Sequence, residues 1–225
     1  MPEPQKSRWV FWVLGGCLLI VGLGIAGIVG VYYWGKSKLT TLVEEQTDPM
    51  ARERNAKAML GAQTLPPGYH AGVSFSIGLA KTVRLSDKPV TANEPTFRDR
   101  GFVFNDSISA EKNDLDDFLS GTKGNLLDKM GVRLRSDEKL GDGTLSVNGQ
   151  ELHYYAHRGE VTLDEEVIPS LVSVITIGCP DKRDRWAIWF QRVEPGTPTA
   201  DVPRVGSVVA PEAIQDLFGH FRICQ

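Results

Sequence analysis

The hydrophobic pattern begins with a stretch from Trp9 to Trp34 in which no residue is charged. At a rise of about 1.5 Å per residue, a helix of this length exceeds the hydrocarbon thickness of a bilayer. Amphipathic aromatic rings settle at the headgroup level, and such residues stand at both ends of the stretch: Trp9, Phe11, Trp12, Tyr32, Tyr33 and Trp34. The pattern predicts a tail over residues 1–8 and a single transmembrane helix over residues 9–34.

Two other interpretations of this stretch were weighed. A cleavable signal peptide has an apolar core of about 7 to 15 residues and a small-residue cleavage site, whereas this stretch is longer and ends in aromatic residues. The run Leu14-Gly15-Gly16-Cys17 resembles the lipobox of bacterial lipoproteins. Because the apolar run continues for 17 residues after Cys17, we interpret Cys17 as a small buried residue of the span.

The orientation of the span does not follow from charge, because Lys6 and Arg8 on one side are balanced by Lys36 and Lys38 on the other. Short N-terminal tails usually stay inside, and long C-terminal domains are translocated regardless of their charge. We therefore expect the N-terminus inside and the domain outside the cytoplasm, which in a bacterium places the anchor in the inner membrane.

A polar, helix-prone segment over residues 35–64 follows the span. Thr47 and Asp48 are both available as N-cap residues, Pro49 suits a first helical turn, and Gly61 suits a helix end, so a helix is predicted from about Pro49 to Leu60. We interpret the segment as a juxtamembrane stalk or as a helix lying against the domain.

Beyond the breaker cluster Leu65-Pro66-Pro67-Gly68 the pattern changes to a period of two, which is typical of strands. The alternating apolar positions are Val73, Phe75, Ile77, Leu79, Val83 and Leu85. A loop over residues 88–99 and a short strand over residues 101–104 are expected next. The folded domain is therefore predicted to span residues 65–225.

Acidic residues after Asn113 resemble a first helical turn, where the helix dipole favours negative charge. The apolar positions that follow predict two short helices interrupted by Gly121 and Gly124: Leu115, Phe118, Leu119, Leu126, Leu127 and Met130.

Two hairpins are predicted next. Asn148-Gly149 supplies the positive φ angles of a type I′ turn between residues 144–147 and 150–158. Leu171–Cys179 is apolar on both faces, which is typical of a central strand, and residues 180–184 turn it into the strand Trp186–Phe190.

The C-terminal residues predict a helix with Pro211 in its first turn, ending near Gly219, and then a short strand over residues 221–223. Strands paired by tight turns, with helices before and after them, define an α+β domain with a mainly antiparallel sheet.

This order of elements, with the ending Pro211-Glu-Ala-Ile-Gln-Asp-Leu-Phe218 followed by Phe221 and Ile223, resembles the PsbP-like fold of bacterial extracytoplasmic proteins and lipoproteins. The resemblance covers about residues 68–223. It implies a binding or assembly module and brings no catalytic residues to this chain.

Charge and cysteine usage narrow the class further. Lys plus Arg number 25 against 28 for Asp plus Glu, without a clustered basic face, so we expect no nucleic acid partner. Outside the span the chain has two cysteines, Cys179 and Cys224, which we expect to pair in an oxidising compartment. The alternative is two separately buried thiols.

Candidate chemistry is sparse. The chain has neither a GxSxG nor an HExxH motif. His153 and His157 share one strand face about 13 Å apart, which excludes a metal site made by this pair alone. We interpret Asp114, Asp116 and Asp117 as helix-capping residues, and the runs 137–143 and 164–166 as turns. No cofactor and no metal are expected.

Two features suggest partners. Trp186, Ile188 and Phe190 face one side of their strand, so Trp189 on the other side is the candidate partner contact. In the span, Gly22, Ala26 and Gly30 form a small-xxx-small stripe through which two helices would dimerise.

The sequence therefore favours a membrane-anchored, extracytoplasmic binding or assembly module for an unknown protein or small-ligand partner, with the bilayer as its other partner. The alternative is a membrane-anchored hydrolase with a dispersed active site, although His70, His153, His157 and His220 are scattered along the chain.

Overall fold

The computed structural model describes residues 48–77, 80–89, 97–107, 117–118, 125–127, 132–163, 165–181, 183–194 and 205–224. These residues belong to one compact unit, Gln46–Gln225. The predicted span, its glycine stripe and most of the predicted helices after Asn113 lie outside the described residues. Within the described ranges, neither helix has the length and apolar character needed to cross a bilayer.

The fold is α+β with one antiparallel sheet, as the sequence predicts. In the described ranges, two helices with defined bounds, α1 (Pro49–Leu60) and α2 (Pro211–Gly219), accompany eight strands. The strands are β1 (His70–Ile77), β2 (Ala80–Ser86), β3 (Arg100–Ser107), β4 (Asn125–Leu127), β5 (Val132–Val147), β6 (Gln150–Leu163), β7 (Glu166–Gly178) and β8 (Asp184–Arg192).

The strand order across the sheet is β1-β2-β3-β8-β7-β6-β5-β4, and every neighbouring pair is antiparallel. Strand β7 lies between β6 and β8 and is buried on both faces from Ser170 to Ile175, which confirms the central strand predicted from its apolar run. The pairing of β3 with β8 joins the N-terminal strands to the C-terminal meander.

Each face of the sheet carries its own apolar cluster. The first cluster includes Ala56 and Leu60 of α1 and Ile214, Leu217 and Phe218 of α2, so both helices lie on this face. The second cluster covers the opposite face and includes Phe97, Phe118, Trp186, Ile188 and Phe190. The prediction that Trp186, Ile188 and Phe190 face one core is therefore confirmed.

The N-terminal helix forms where its capping residues predict. Asp48 accepts the backbone N–H of Met50 at 3.0 Å, Pro49 occupies the first turn, and Gly61 ends the helix with φ of 62°. Because Ala56 and Leu60 are fully buried, this helix lies against the sheet and belongs to the same compact unit.

The Asn148-Gly149 turn joins β5 to β6 as predicted, with φ of 52° at Asn148 and 74° at Gly149. The hairpin is much longer than expected. Residues 137–143, interpreted from sequence as a turn, are instead part of β5. Two register shifts, between Ser136 and Glu138 and between Lys139 and Gly141, absorb the extra residues without ending the strand.

Two further elements differ from expectation. Leu126 and Leu127, predicted as helical, lie in β4, because pairing with Arg133–Arg135 satisfies their backbone groups and outweighs the local helical pattern. Residues 221–223 do not form a strand. The side chain of Gln150, rather than a neighbouring strand, accepts the backbone N–H of Ile223 at 2.7 Å.

Candidate functional site

A cleft of about 550 Å³ opens beside the N-terminal end of α1. Pro49, Arg52 and Glu53 of α1 line one wall, and residues 64–71 with Pro89 line the rest. The cleft thus lies where the first helix, the breaker cluster and the start of β1 meet.

Prolines make this cleft rigid. Pro49, Pro66, Pro67 and Pro89 line it, and each ring fixes its own φ. Gly68 takes φ of 79°, which lets the backbone N–H of Tyr69 return to the carbonyl of Pro66 at 3.0 Å. The breaker cluster is therefore an ordered turn that forms part of the cleft wall.

Tyr69 connects the cleft to the apolar core through a hydrogen bond. Its hydroxyl accepts a hydrogen bond from the indole N–H of Trp189 at 2.7 Å. Burial raises the pKa of the Tyr69 hydroxyl, and the hydrogen bond from Trp189 acts in the opposite direction. The phenol is therefore neutral at physiological pH.

Trp189, the candidate partner contact from the sequence, does not present its side chain to a partner. It is 3 % exposed and packs in the cluster that also holds α1 and α2. Its face of the sheet is covered by helices, which the alternation of one strand does not reveal. Its structural role is to hold Tyr69.

The cleft combines apolar walls with charged groups at its helix side. Arg52 is buried at 8 % exposure, and Glu53 on the next position pairs with Lys57 at 3.0 Å. His70 adds an exposed imidazole at the start of β1. Such a surface suits a ligand with an apolar body and a polar or anionic group.

A smaller cleft of about 260 Å³ adjoins the N-terminal end of α2. Tyr154 and Ala156 of β6 form one side, and Pro211 and Glu212 of α2 form another. Asp142 lies at its edge and pairs with Lys139 at 2.7 Å. The acidic side chains make this cleft unsuited to anions.

The predicted cysteine pair is present at disulfide distance. Cys179 follows β7, Cys224 lies near the C-terminus, and their Cα atoms are 5.3 Å apart. The same segment is held by Gln150, whose side chain donates to the carbonyl of Phe221 and accepts the N–H groups of Ile223 and Cys224. The disulfide and this buried amide fix the C-terminal segment to the sheet.

His153 and His157 lie on one strand, as predicted, in two different environments. His153 is half exposed, beside Glu151 at 3.1 Å. His157 is buried, and its Nδ1 lies 2.8 Å from Oγ of Ser136. The sequence does not reveal the Ser136–His157 pair, because it depends on the register shift next to Ser136.

A buried ionic cluster was also missed. The turn containing Arg183 and Arg185 reads as a solvated basic turn, yet Arg185 is buried with Asp106 at 3.3 Å and binds both carboxylate oxygens of Asp181. Hydrogen bonds from Arg185 hold the pKa of Asp181 below its usual range. These pairings join β3 to β8, which gives them a structural role.

In the ranges that the structure describes, no group of three or more His, Cys, Asp or Glu side chains is placed to hold a metal ion. Asp114 and Asp116 lie outside those ranges.

Two glycine patterns near the span match nucleotide-binding motifs by letter: Gly22-Leu-Gly24-Ile-Ala-Gly27 and Gly30-Val-Tyr-Tyr-Trp-Gly35-Lys36-Ser37. Such motifs act at a turn between a strand and a helix. Here they fall within and at the end of an apolar stretch long enough to span a bilayer, and outside the described residues. We assign neither to nucleotide binding.

Comparison with protein-family models, curated proteins and solved structures finds no match for the chain. The resemblance to PsbP-like domains therefore stays a prediction.

Proposed function

We propose that the chain is a single-pass, membrane-anchored binding or assembly module whose domain lies outside the cytoplasm. The observation that carries this proposal is the Cys179–Cys224 pair, because disulfides form and persist in oxidising compartments. The uncharged stretch of residues 9–34 supports the anchor. The PsbP-like resemblance implies the same class of protein.

The cleft beside α1 supports the binding part of this proposal. It has the concave, mostly apolar character of ligand sites, and its prolines hold the walls in place before a ligand arrives. A ligand with an apolar body and a polar or anionic group fits it best. The partner is either a small molecule of this kind or an extended protein segment.

The topology is tested by protease treatment of intact cells. We expect added protease to digest the domain over residues 65–225 while a cytoplasmic control protein stays whole. Digestion only after lysis would reverse the orientation. Non-reducing mass spectrometry of the same membranes should find Cys179 linked to Cys224.

The cleft is tested with a photo-cross-linking amino acid placed at Thr64, which lines it, and at Gln215 as the matched control on the exposed side of α2. We expect illumination of intact cells to give an adduct of defined mass at Thr64 and none at Gln215. Equal adducts at both positions, or none at Thr64, would contradict the assignment of the cleft.

The stripe of Gly22, Ala26 and Gly30 supports a homodimer through the span, since small residues allow close helix approach. Ala26→Leu should weaken self-association in a membrane two-hybrid assay, whereas Leu23→Ile outside the stripe should not. An unchanged signal for Ala26→Leu would exclude this dimer.

A membrane-anchored hydrolase is the second candidate, and the Ser136–His157 pair is the observation that favours it. It ranks second because burial lowers the pKa of His157 to about 4, which makes the imidazole a weak base. A fluorophosphonate probe should leave Ser136 unlabelled. Labelling that Ser136→Ala abolishes would place the hydrolase first.

A further inference from the structure

Strand β6 carries two histidines that form a natural matched pair. His153 and His157 are four residues apart on the same face. Nδ1 of each ring lies beside a hydroxyl of β5: Oγ1 of Thr144 at 3.0 Å from His153, and Oγ of Ser136 at 2.8 Å from His157. The two rings therefore share a strand, a face and a type of hydrogen bond.

Their surroundings differ sharply. The side chain of His153 is 45 % exposed and has the carboxylate of Glu151 at 3.1 Å from Nε2. His157 is 6 % exposed, and the ring of Phe118 packs on it with centroids 5.2 Å apart. Among the residues that the structure describes, its Nε2 is buried and has no hydrogen-bond partner. Protonation at Nε2 would thus create a charge that none of these described residues accepts.

The two charged groups that shift the pKa of His157 both lie on β5. On β5, Lys139 is its cross-strand neighbour and Asp142 lies further along. On β7 its neighbour is the uncharged Val172. Burial, which is the largest effect, and Lys139 both lower the pKa of His157, and Asp142 raises it; together they place this pKa at about 4. Asp117, beside Phe118 in the chain, is not among the charges that shift it.

We propose that His157, Ser136 and Phe118 form an acid latch: protonation of His157 drives its ring towards water and breaks its contact with Phe118. An imidazolium needs solvent or an acceptor at both nitrogens, and the buried position supplies neither at Nε2. Phe118, which packs in the second apolar cluster, loses the ring that supports it. Acid therefore loosens this face of the sheet while the face that carries α1 and α2 stays packed.

The direction of the pH effect follows from the different pKa values of His157 in the opened and closed states. The opened state titrates near the ordinary histidine value of about 6.5, and the closed state near 4. Above pH 6.5 the latch carries no penalty. Between pH 6.5 and 4 the opening equilibrium should rise by at most about tenfold per pH unit, which amounts to roughly 300-fold in all, and below pH 4 it should level off.

Hydrogen–deuterium exchange of the full chain in detergent micelles tests the latch, after correction for the intrinsic pH dependence of exchange. On going from pH 7 to pH 4.5, protection of the β5 and β6 amides beside Ser136 and His157 should fall. His157→Asn, which keeps a polar group for Ser136 and does not titrate, should lose this response. His153→Asn, the matched control, should retain it.

A second measurement keeps the test independent of how the variant folds. Nitrogen-resolved NMR of the wild-type imidazoles should show His157 neutral at pH 5.5. A wild-type His157 that titrates near pH 6.5, or an acid response that persists unchanged in a folded His157→Asn variant, would overturn the proposal.

Discussion

The two helices pack on the same face of the sheet but are specified in opposite ways. The residues that define the two ends of α1 lie within or directly beside the helix in sequence. Asp48 caps its first turn, Pro49 fits that turn, and Gly61 closes the end while the N–H of Ala62 returns to the carbonyl of Lys57 at 2.9 Å. Its core residues are few and small, apart from Leu60.

Helix α2 shares a proline in its first turn, Pro211, and the sequence predicts its bounds as well, but it lacks the side-chain cap and the left-handed end of α1. Its N-cap is Ala210, which offers no side-chain acceptor, and its C-cap residue His220 is not in the left-handed conformation. Its C-terminal end is held instead by a residue distant in sequence. Asn148 in the β5–β6 turn donates hydrogen bonds to the carbonyls of Gly219 at 2.9 Å and Phe221 at 3.0 Å. The rings of Phe218 and Phe221 pack on Phe102 of β3.

The difference shows two routes to a stable helix on one sheet. Helix α1 is held at its ends by capping interactions within the chain segment that forms it. Helix α2 is held by a turn, a buried amide, aromatic packing and a disulfide, all from residues distant in sequence. Changes at these distant sites should therefore cost more than changes at helix caps.

The largest expected effect is on the α2 side. Replacing both cysteines, Cys179→Ser with Cys224→Ser, should lower the free energy of unfolding by about 2 to 4 kcal/mol, because the bond closes a loop between residues 45 apart. Thermal denaturation of the detergent-solubilised chain measures this. A loss no greater than that of a single helix-cap variant would contradict the comparison.

Asn148→Asp should be the next most damaging change. A carboxylate cannot donate, and it would face the carbonyl oxygens at the C-terminal end of α2, where the helix dipole already disfavours negative charge. We expect a loss of roughly 2 kcal/mol in the free energy of unfolding. Asn148→Gly, which retains the positive φ of the turn, is the control and should lose less.

Asp48→Ala tests the α1 side. It removes the side-chain cap of the first turn, and we expect a loss of about 1 kcal/mol in the free energy of unfolding, measured by denaturant unfolding. Asp48→Ser, which keeps an acceptor, should remain close to the wild type. If Asp48→Ala lowered the free energy of unfolding more than Asn148→Asp does, the cap of α1 would contribute more to stability than the hydrogen bonds from Asn148 to the end of α2.

The smallest effect should have the opposite sign. Ala210 already has the extended backbone of an N-cap, with φ of −83° and ψ of 129°. Ala210→Ser would add the missing acceptor and should stabilise the chain by about 0.5 kcal/mol, measured by the same denaturant unfolding. Ala210→Val, which adds bulk without an acceptor, should not stabilise it.

The comparison also explains which parts of the fold are predictable from sequence. The bounds of α1, the Asn148-Gly149 turn and the central strand β7 depend on neighbouring residues, and the sequence predicts each of them. Leu126 and Leu127 in β4 and the continuation of β5 through residues 137–143 depend on pairing with another strand. Local pattern carries no information about such pairing.

The candidate functional site also has a part that the sequence predicts and a part that depends on tertiary contacts. The breaker cluster at residues 65–68 is evident in the sequence, but its meeting with α1 to form a cleft is a tertiary result. The alternation of β8 predicts Trp189 as a partner contact, because it does not show that helices cover this face of the sheet. The Ser136–His157 pair and the salt bridge of Arg185 to Asp106 join residues 21 and 79 apart, so neither spacing is a recognisable motif.

The antiparallel pairing of β3 with β8 also sets the order in which the domain is completed. Strands β5 to β8 follow one another as a meander and form from nearby residues, whereas β3 pairs Arg100 with Gln191. A chain that emerges N-terminus first therefore presents one edge of β3 without its partner strand until β8 has been made. Cys224 follows β8 in the chain, so its link to Cys179 closes only after β8 has been made. During that interval the edge of β3 is exposed to other chains, which makes the time between synthesis of β3 and β8 the period of greatest aggregation risk.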